Sequence, residues 1–243
     1  MHIRRRILHG LYTHNLKGLL LRVVHHLRRT RSRGVPEPEQ AHPFDKAEMT
    51  ETSGFIAGEH LRTGTAADLY NTAYYAISPS TLKAALALVP AELDGYTFID
   101  LGCGKGRALL VANLFPFKRV IGVEISPELC HQARANVGRH PRISIVEQDA
   151  ANFVYPAGPL LIYFYNPFLR PFLKSVLKNI QRQWQKEPRQ VFVLSAFPAY
   201  PKLMSRLPFL IPVWNRFISL SAEDASADRH GITQEHYALY RTP

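Results

Sequence analysis

Three acidic residues stand at or just after the ends of three successive apolar segments. Asp100 lies in FIDLGCGKGR, Glu124 closes VIGVE, and Asp149 follows ISIVEQ. A carboxylate has two oxygens that accept hydrogen bonds, which suits paired hydroxyls and amino groups, and its charge suits a cation. Each acid alone is also typical of an exposed loop or a helix cap. Three acids in equivalent places favour a shared binding site.

A glycine-rich loop follows the first of these acids. Gly102, Gly104 and Gly106 allow tight turns and a close approach of the backbone to a ligand. A dinucleotide site of the form G-x-G-x-x-G would need its third glycine at position 107, where this chain has Arg107. Asp100, two residues before the first glycine, is badly suited to a pyrophosphate. The loop therefore favours a ligand with an ammonium group and argues against a nicotinamide dehydrogenase.

From Tyr96 onward, apolar strands alternate with helical segments, which predicts parallel βαβ units in a doubly wound sheet. Ser78-Pro79 and Ser126-Pro127 are typical helix starts, and Gly138 is predicted as the C′ residue that ends the second of these helices. The predicted strands are TFIDL, VIGVEI, ISIVEQD, LLIYFYN and VFVLSAF, and the predicted helices run near Arg107–Leu114, Pro127–Val137 and Pro171–Gln185. Two tail segments, VWNRFISLS and HYALYRT, predict an antiparallel pair at the sheet edge.

Composition limits the function classes. The 243 residues are 46% hydrophobic, enough for a sizeable core, and two cysteines are too few for a disulfide framework. Apolar runs stay shorter than the roughly 18 residues that span a bilayer, and GLLLRVV is broken by Arg22. The histidines show no metal-ligand spacing, so we predict no metal. A cytoplasmic location is expected.

The net charge of +11 is concentrated at the N-terminus. Residues 1–33 hold nine Lys or Arg and no acid, so the other 210 residues carry 21 basic and 19 acidic groups. Apolar residues recur at helical spacing in this arm, which predicts a basic amphipathic helix. It can pack on the domain, lie peripherally on a membrane or contact nucleic acid. We predict the arm at 1–33, a linker and lead-in at 34–70, and the main domain at 71–243.

The chain resembles the class I S-adenosylmethionine-dependent methyltransferases. FIDLGCGKGR, GVEIS, EQDAANF and YFYNPF are similar to the first four motifs of that family. The resemblance implies a seven-stranded Rossmann-like sheet and S-adenosylmethionine as cofactor. It also implies the cofactor-binding residues: Asp100, Gly102, Cys103 and Gly104 around the methionine part, Glu124 and Ile125 at the ribose, and Asp149 and Ala150 at the adenine. Members often fold a segment over the cofactor, for which Tyr74 and Tyr75 are candidates.

Asn166, Pro167 and Phe168 end the fourth strand, beside the expected position of the transferred methyl group. Methyl transfer is an in-line displacement, so catalysis is mostly positioning of the acceptor's lone pair. The Asn166 oxygen and a carbonyl near Pro167 can accept hydrogen bonds from an amine, and Phe168 offers a ring. The motif resembles the Asn/Asp-Pro-Pro-Tyr/Phe signature of amino-methyltransferases but has one proline fewer. The alternative is a turn, with Asn166 capping and Phe168 in the core.

These residues predict methyl transfer to a nitrogen, on a lysine-like protein side chain or another amine. Two alternatives remain: an RNA or DNA methyltransferase whose arm, residues 1–33, contacts phosphates, or a non-catalytic module that docks on a membrane. A protein or small amine is the favoured partner, because the body outside the arm is nearly neutral.

Overall fold

The computed structural model describes residues 41–56, 61, 73–165, 168–228 and 231–243. The predicted basic arm, residues 1–33, lies outside the described residues, as does much of the predicted linker, and the domain boundaries stay predictions. Within the described part of the chain, every helix is too short or too polar to cross a bilayer.

A seven-stranded sheet forms the centre of the described fold. Its strands are β3 (Thr97–Leu101), β4 (Arg119–Glu124), β5 (Ile143–Glu147), β6 (Leu160–Tyr165), β7 (Val191–Ala196), β8 (Ile211–Ser219) and β9 (Gln234–Arg241). The spatial order is β5-β4-β3-β6-β7-β9-β8, with β9 antiparallel to both of its neighbours and the remaining pairs parallel. The predicted doubly wound sheet with an antiparallel C-terminal pair is confirmed. Strand order reverses beside β3, where such sheets bind ligands.

Helices cover both faces of this sheet. They are α1 (Pro43–Glu48), α2 (Pro79–Ala87), α3 (Arg107–Ala112), α4 (Pro127–Val137), α5 (Arg170–Lys186), α6 (Pro201–Met204) and α7 (Ala222–Ala227). The Ser126 hydroxyl caps α4 by accepting a hydrogen bond from the Leu129 N–H at 3.4 Å. Gly138 is the C-cap residue of α4 with φ −58°, so the prediction that it is the C′ residue was wrong, although the helix does end there.

The core has two layers because successive residues of each strand point to opposite faces. Phe98 and Tyr163 stack on one face with ring centroids 5.8 Å apart, against α2 and α3. Ile99 and Ile162 point to the other face, where they join the apolar side of α5. Every residue of β3 is buried. The sheet is therefore rigidly held on both sides of the strand that carries the glycine loop.

A buried ion pair attaches the segment before the sheet to α3. The Arg107 Nη2 lies 3.1 Å from Asp45 Oδ2, and both side chains are at most 5% exposed. Arg107 Nε donates to the Thr52 hydroxyl at 2.7 Å, and Thr52 in turn donates to Asp45. Arg107, which stands where a dinucleotide site would have its third glycine, is a buried structural residue. It attaches α1 to the helix that begins at the glycine loop.

A two-stranded ribbon continues this segment. β1 (Phe55–Ile56) pairs antiparallel with β2 (Tyr74–Tyr75). The Lys105 ammonium donates to the Ser53 carbonyl at 2.7 Å, which joins the residues before the ribbon to the glycine loop. Part of the predicted lead-in is thus packed on the domain.

We predict that Arg107→Ala lowers the free energy of unfolding by about 3–5 kcal/mol, because it leaves the buried Asp45 carboxylate without its charge partner. The Arg134–Glu147 pair, with 49% and 43% exposed side chains, is the control: Arg134→Ala should cost no more than about 1 kcal/mol. Urea unfolding of the three proteins measures both values. Equal losses would contradict the assigned role of Arg107.

The same cluster predicts a pH dependence. Burial alone would raise the pKa of Asp45, but hydrogen bonds from Ser53 and Thr52 and the charge of Arg107 outweigh it and lower that pKa. A lowered carboxyl pKa stabilises the fold above the unfolded value of about 4 and loses this contribution as pH falls through the folded value. The stability difference between the natural protein and Asp45→Asn should therefore shrink below about pH 4.

Candidate functional site

The glycine loop between β3 and α3 is held against the end of β4. The N–H groups of Gly102 and Cys103 donate to the Val123 carbonyl at 2.8 and 3.2 Å. Gly104 has φ +54°, in the left-handed region that favours glycine. The loop therefore presents bare backbone at the carboxyl edge of the sheet, which a bound ligand can approach closely.

Glu124 organises this edge. One carboxylate oxygen accepts from the Gly104 N–H at 3.0 Å, and the other accepts from Ile125 and Ser126 at 2.8 and 2.9 Å. The side chain is 8% exposed. Burial raises the pKa of Glu124, although its three backbone donors oppose that rise. The carboxylate thus joins the glycine loop to the start of α4 and borders the cleft between them.

A cleft opens over the glycine loop at the carboxyl ends of the strands. Of the predicted cofactor-binding residues, five line it: Gly102, Gly104, Glu124, Ile125 and Ala150. Sequence reasoning missed several others, which are Leu61, Ala73, Val123, Ser126, Leu129, Gln148 and Phe172. Most of these are apolar, and in the sequence they are indistinguishable from core residues.

Asp100 and Cys103 lie behind the loop rather than on the cleft surface. Asp100 is 3% exposed, and burial, followed by repulsion from Glu124, raises its pKa well above the usual value. Among the described residues, no basic side chain pairs with Asp100 or Glu124. Burial also raises the pKa of the Cys103 thiol, so that group is a neutral, unreactive packing residue. Two neighbouring acids without a cation favour a positively charged ligand.

The Asp149 carboxylate forms hydrogen bonds within its own turn. Its carboxylate accepts from the Ala151 N–H at 2.7 Å and from the Asn152 side chain at 3.2 Å, as the cap of the short 3-10 helix Ala150–Asn152. Its neighbours Gln148 and Ala150 line the cleft instead. Contact of the Asp149 carboxylate with an adenine stays a prediction, and the flanking residues are the ones on the cleft surface.

The two lid candidates point to different places. The Tyr74 ring lies directly on Gly104, borders the cleft, and donates its hydroxyl to the Thr52 carbonyl. The Lys105 ammonium lies 5.3 Å from the centre of that ring. Tyr75 instead donates to Asp228 Oδ1 at 3.0 Å. Of the two candidates, Tyr74 is the one that borders the cleft, and its role as a lid stays a prediction.

The end of β6 approaches the cleft from the other side of β3. Asn166 and Pro167 lie outside the described residues, so their catalytic roles stay predictions. Phe168 is 8% exposed, borders the cleft, and packs against Phe172 with ring centroids 4.9 Å apart. It combines the two alternatives drawn from the sequence, since it belongs to the core and also faces the site.

Tyr165, the last residue of β6, is attached to β9. Its hydroxyl donates to Glu235 Oε1 at 3.3 Å, and the same carboxylate accepts from Ser78, Thr81 and Tyr237. Burial raises the pKa of Glu235, against the effect of these hydrogen bonds. The role of Glu235 could not be predicted from the sequence; in the structure this residue holds Tyr165, the last residue of β6. Among the described residues, no group of three His, Cys, Asp or Glu side chains is arranged to hold a metal ion.

Residues 98–186 match a family described as methyltransferase domain. They include β3 to β6 and therefore the glycine loop, Glu124 and the end of β6. This part of the chain is a class I S-adenosylmethionine-dependent methyltransferase domain. The fold prediction and the cofactor prediction are thereby confirmed.

Curated relatives match only a part of the chain. Trans-aconitate 2-methyltransferase of Methylobacterium radiotolerans is 43% identical over 79 residues, which are 32% of this chain and 29% of that protein. Ribosomal protein L11 methyltransferase of Tolumonas auensis is 34% identical over 62 residues, which are 26% of this chain and 21% of that protein. The chain thus spans less than a third of the length of these relatives.

A solved structure shares the fold beyond the domain core. TrmN from Thermus thermophilus superposes with a TM-score of 0.50 at 17% sequence identity, over 69% of this chain and 49% of that chain. Identity at this level shows a common fold and carries no statement about the acceptor.

We predict that Gly104→Ala strongly weakens S-adenosylmethionine binding and lowers the melting temperature, because a Cβ there would lie 2.3 and 2.5 Å from two Tyr74 ring carbons. Gly158→Ala is the control, since Gly158 has φ +89° with nothing within 4 Å of the added carbon. In that variant the free energy of unfolding should fall by only about 1–2 kcal/mol, which is what a left-handed backbone costs a residue with a Cβ.

Combining Gly104→Ala with Tyr74→Ala separates the clash from the backbone strain. The double variant should recover part of the lost melting temperature relative to Gly104→Ala. If Tyr74→Ala restores nothing, the ring is not what excludes a side chain at position 104.

Proposed function

We propose that this protein transfers a methyl group from S-adenosylmethionine to a nitrogen atom of an acceptor. The observation that carries the proposal is the pair of buried acids, Asp100 and Glu124, beside a glycine loop at the reversal of strand order. Among the described residues neither acid has a basic partner, and a cofactor with an ammonium and a sulfonium group supplies positive charge at such a place. A cytoplasmic location stays part of the proposal.

The described residues fit this cofactor. Glu124 has its carboxylate at the cleft, where ribose hydroxyls can approach, and Asp100 lies buried behind the loop, without a basic partner among the described residues. The missing Cβ of Gly104 lets the Tyr74 ring lie directly on the glycine loop, at the border of the cleft. Gln148 and Ala150 border the part of the cleft proposed for the adenine. When bound, the cofactor supplies an electrophilic methyl group on sulfur.

The chain's own contribution to catalysis is positioning. Phe168 and Phe172 form an apolar wall beside the cleft, and the hydroxyl of Tyr165 is bound to Glu235. From the sequence, we assign the Asn166 side-chain oxygen to accept a hydrogen bond from the N–H of the methyl acceptor, which would direct the nitrogen lone pair towards the methyl group. Pro167 restricts the backbone at this point. A neutral amine releases its proton to solvent after transfer.

The acceptor is either an amine on a protein or a base nitrogen of a nucleic acid. Relatives named for trans-aconitate and for ribosomal protein L11 match less than a third of this chain and of their own length, so neither acceptor carries over. The basic arm, which would serve a nucleic acid or a membrane, lies outside the described residues. The near-neutral net charge of the body favours a protein amine, but a net charge does not show where on the body the basic and acidic residues lie.

We predict that Glu124→Gln weakens S-adenosylmethionine binding about tenfold or more, because the variant loses one acceptor oxygen and the charge, a difference of about 1.4 kcal/mol. Glu147→Gln is the control: Glu147 lies opposite Glu124 in the neighbouring strand but is exposed and paired with Arg134. Titration calorimetry of both variants, with melting temperatures as a check on folding, measures the difference. Equal affinities would reject the assignment.

Binding should also depend on pH. The pKa values of Asp100 and Glu124 are raised in the free protein, and a cation binds the ionised carboxylates. Affinity for S-adenosylmethionine should therefore increase as pH rises above the ordinary carboxyl pKa of about 4, because a larger fraction of the two carboxyl groups is then ionised. The Glu124→Gln variant should show a smaller increase.

We predict that Asn166→Ala lowers kcat for methyl transfer by about a hundredfold while the dissociation constant for S-adenosylmethionine stays within about twofold, because only acceptor positioning is lost. Methyl-tritiated cofactor added to a lysate of source cells lacking this gene gives the readout, with products resolved after protease or nuclease. Equal losses of binding and turnover would contradict the role of Asn166.

A further inference from the structure

Helix α5 has a basic residue at every fourth position along its whole length. These residues are Arg170, Lys174, Lys178, Arg182 and Lys186, and we call them the α5 row. All five are exposed, whereas Leu173, Val176, Leu177 and Ile180 of the same helix are buried against the sheet. Because α5 contains no Asp or Glu, the row has no acidic residue of its own helix to neutralise it.

The surrounding chain adds to this charge. Residues 161–210 contain eight Lys or Arg and a single acid, Glu187, and that acid lies 2.8 Å from Arg189. Within the described part of the chain, none of the five residues of the α5 row forms an ion pair; Arg182 donates to the Asn179 side chain at 2.9 Å. The near-neutral body therefore has a strongly positive region.

The row is regular and leads to the catalytic cleft. With a rise of 1.5 Å per residue, successive charges are about 6 Å apart along the axis and turn by about 40°, so the row crosses the solvent face obliquely over about 24 Å. Arg170 begins the row, and in the sequence it stands between Phe168 and Phe172, both of which border the cleft. A polyanion bound along the row would have one end at the proposed methyl-transfer site.

A second basic helix lies next to the start of the row. Met204 of α6 and Leu173 of α5 border the same small apolar cavity, and Lys202 and Arg206, on and just after α6, are exposed. The positive surface is therefore wider at the end nearest the cleft.

The buried face of α5 decides between a membrane and a nucleic acid as occupant. A helix that binds a membrane in its plane inserts an exposed apolar face, but the apolar face of α5 is already packed in the core. What remains is a line of point charges at a constant step, which complements a chain with one negative charge per nucleotide. Sequence-specific recognition of RNA takes place mainly on single-stranded segments, whose bases are accessible to an enzyme that modifies them.

We propose that the α5 row binds the phosphate backbone of single-stranded RNA and directs it towards the cleft. The binding surface stands on the charges of α5 alone. Its further consequence, that the acceptor is an RNA base nitrogen, rests on the proposed function.

The test compares two triple variants of the full chain with the same change in net charge. The α5 variant carries Lys174→Glu, Lys178→Glu and Arg182→Glu. The control carries Lys83→Glu, Lys118→Glu and Arg119→Glu, which replace exposed basic residues on α2 and at the start of β4. The probe is a fluorescein-labelled oligouridine of about 15 nucleotides, measured by anisotropy at several salt concentrations.

We expect the α5 variant to bind the oligouridine at least about tenfold more weakly than the natural protein. The slope of log affinity against log salt should fall by about 2, since three phosphate contacts each contribute about 0.7. The control variant should stay within about twofold. Equal loss in both variants, or no loss in the α5 variant, overturns the proposal. So does tighter binding to oligothymidine, polyglutamate or phosphatidylserine vesicles than to oligouridine.

Calorimetry with S-adenosylmethionine on the same proteins separates the two proposals. The α5 variant should bind the cofactor like the natural protein. If the cofactor binds and the oligouridine does not, the α5 surface is rejected and methyl transfer stands. If the oligouridine binds through α5 and the cofactor does not bind, the α5 surface stands and methyl transfer from S-adenosylmethionine is rejected.

Discussion

The site depends on how the Glu124 carboxylate is held. It is taken out of water at the end of β4, and its charge is tolerated because three backbone N–H groups from two segments converge on it. Burying a carboxylate without such donors is costly. The glycine loop, the end of β4 and the start of α4 are therefore constrained together, and a change in any one of them would alter the other two.

The buried Arg107–Asp45 pair extends this constraint away from the sheet. Arg107 is the first residue of α3, directly after the glycine loop, and it binds Asp45, Thr52 and the Ile77 carbonyl. The segment that presents Tyr74 to the loop is thereby attached to the same helix. Tyr74 and the glycine loop, which both border the cleft, are thus held in place by the same residue, Arg107. The shape of the cleft therefore depends on residues far apart in the chain.

Local signals in the sequence predicted the elements better than their contacts. Helix α4 runs from Pro127 to Val137 as expected, because a serine cap with a following proline marks a helix start unambiguously. The α3 prediction extended to Leu114, two residues past its end at Ala112, where no strong stop signal exists.

Contacts between distant segments had no such signal. Asp45 and Arg107 are 62 residues apart in the sequence, and Tyr165 and Glu235 are 70 residues apart. No periodicity links the members of either pair. The predicted acids were correct as a group, but only a structure distinguishes Glu124, which borders the cleft, from Asp100 behind it. The α5 row could not be recognised for a different reason. The net charge of the body adds the positive charges of this basic helix to the negative charges of acidic regions elsewhere, so their sum is close to zero.

The position of β9 has a consequence for biosynthesis. β8 has no neighbour in the sheet except β9, which comes later in the chain and inserts between β7 and β8. During translation, neither β8 nor the free edge of β7 can therefore pair until β9 has been synthesised. Glu235, the residue that holds Tyr165, also lies on β9. A nascent chain can assemble the parallel strands with their cofactor loop earlier, yet the acceptor side is completed only when β9 has left the ribosome. Until then, two unpaired strand edges are open to aggregation, which makes this the stage at which a chaperone would be needed most.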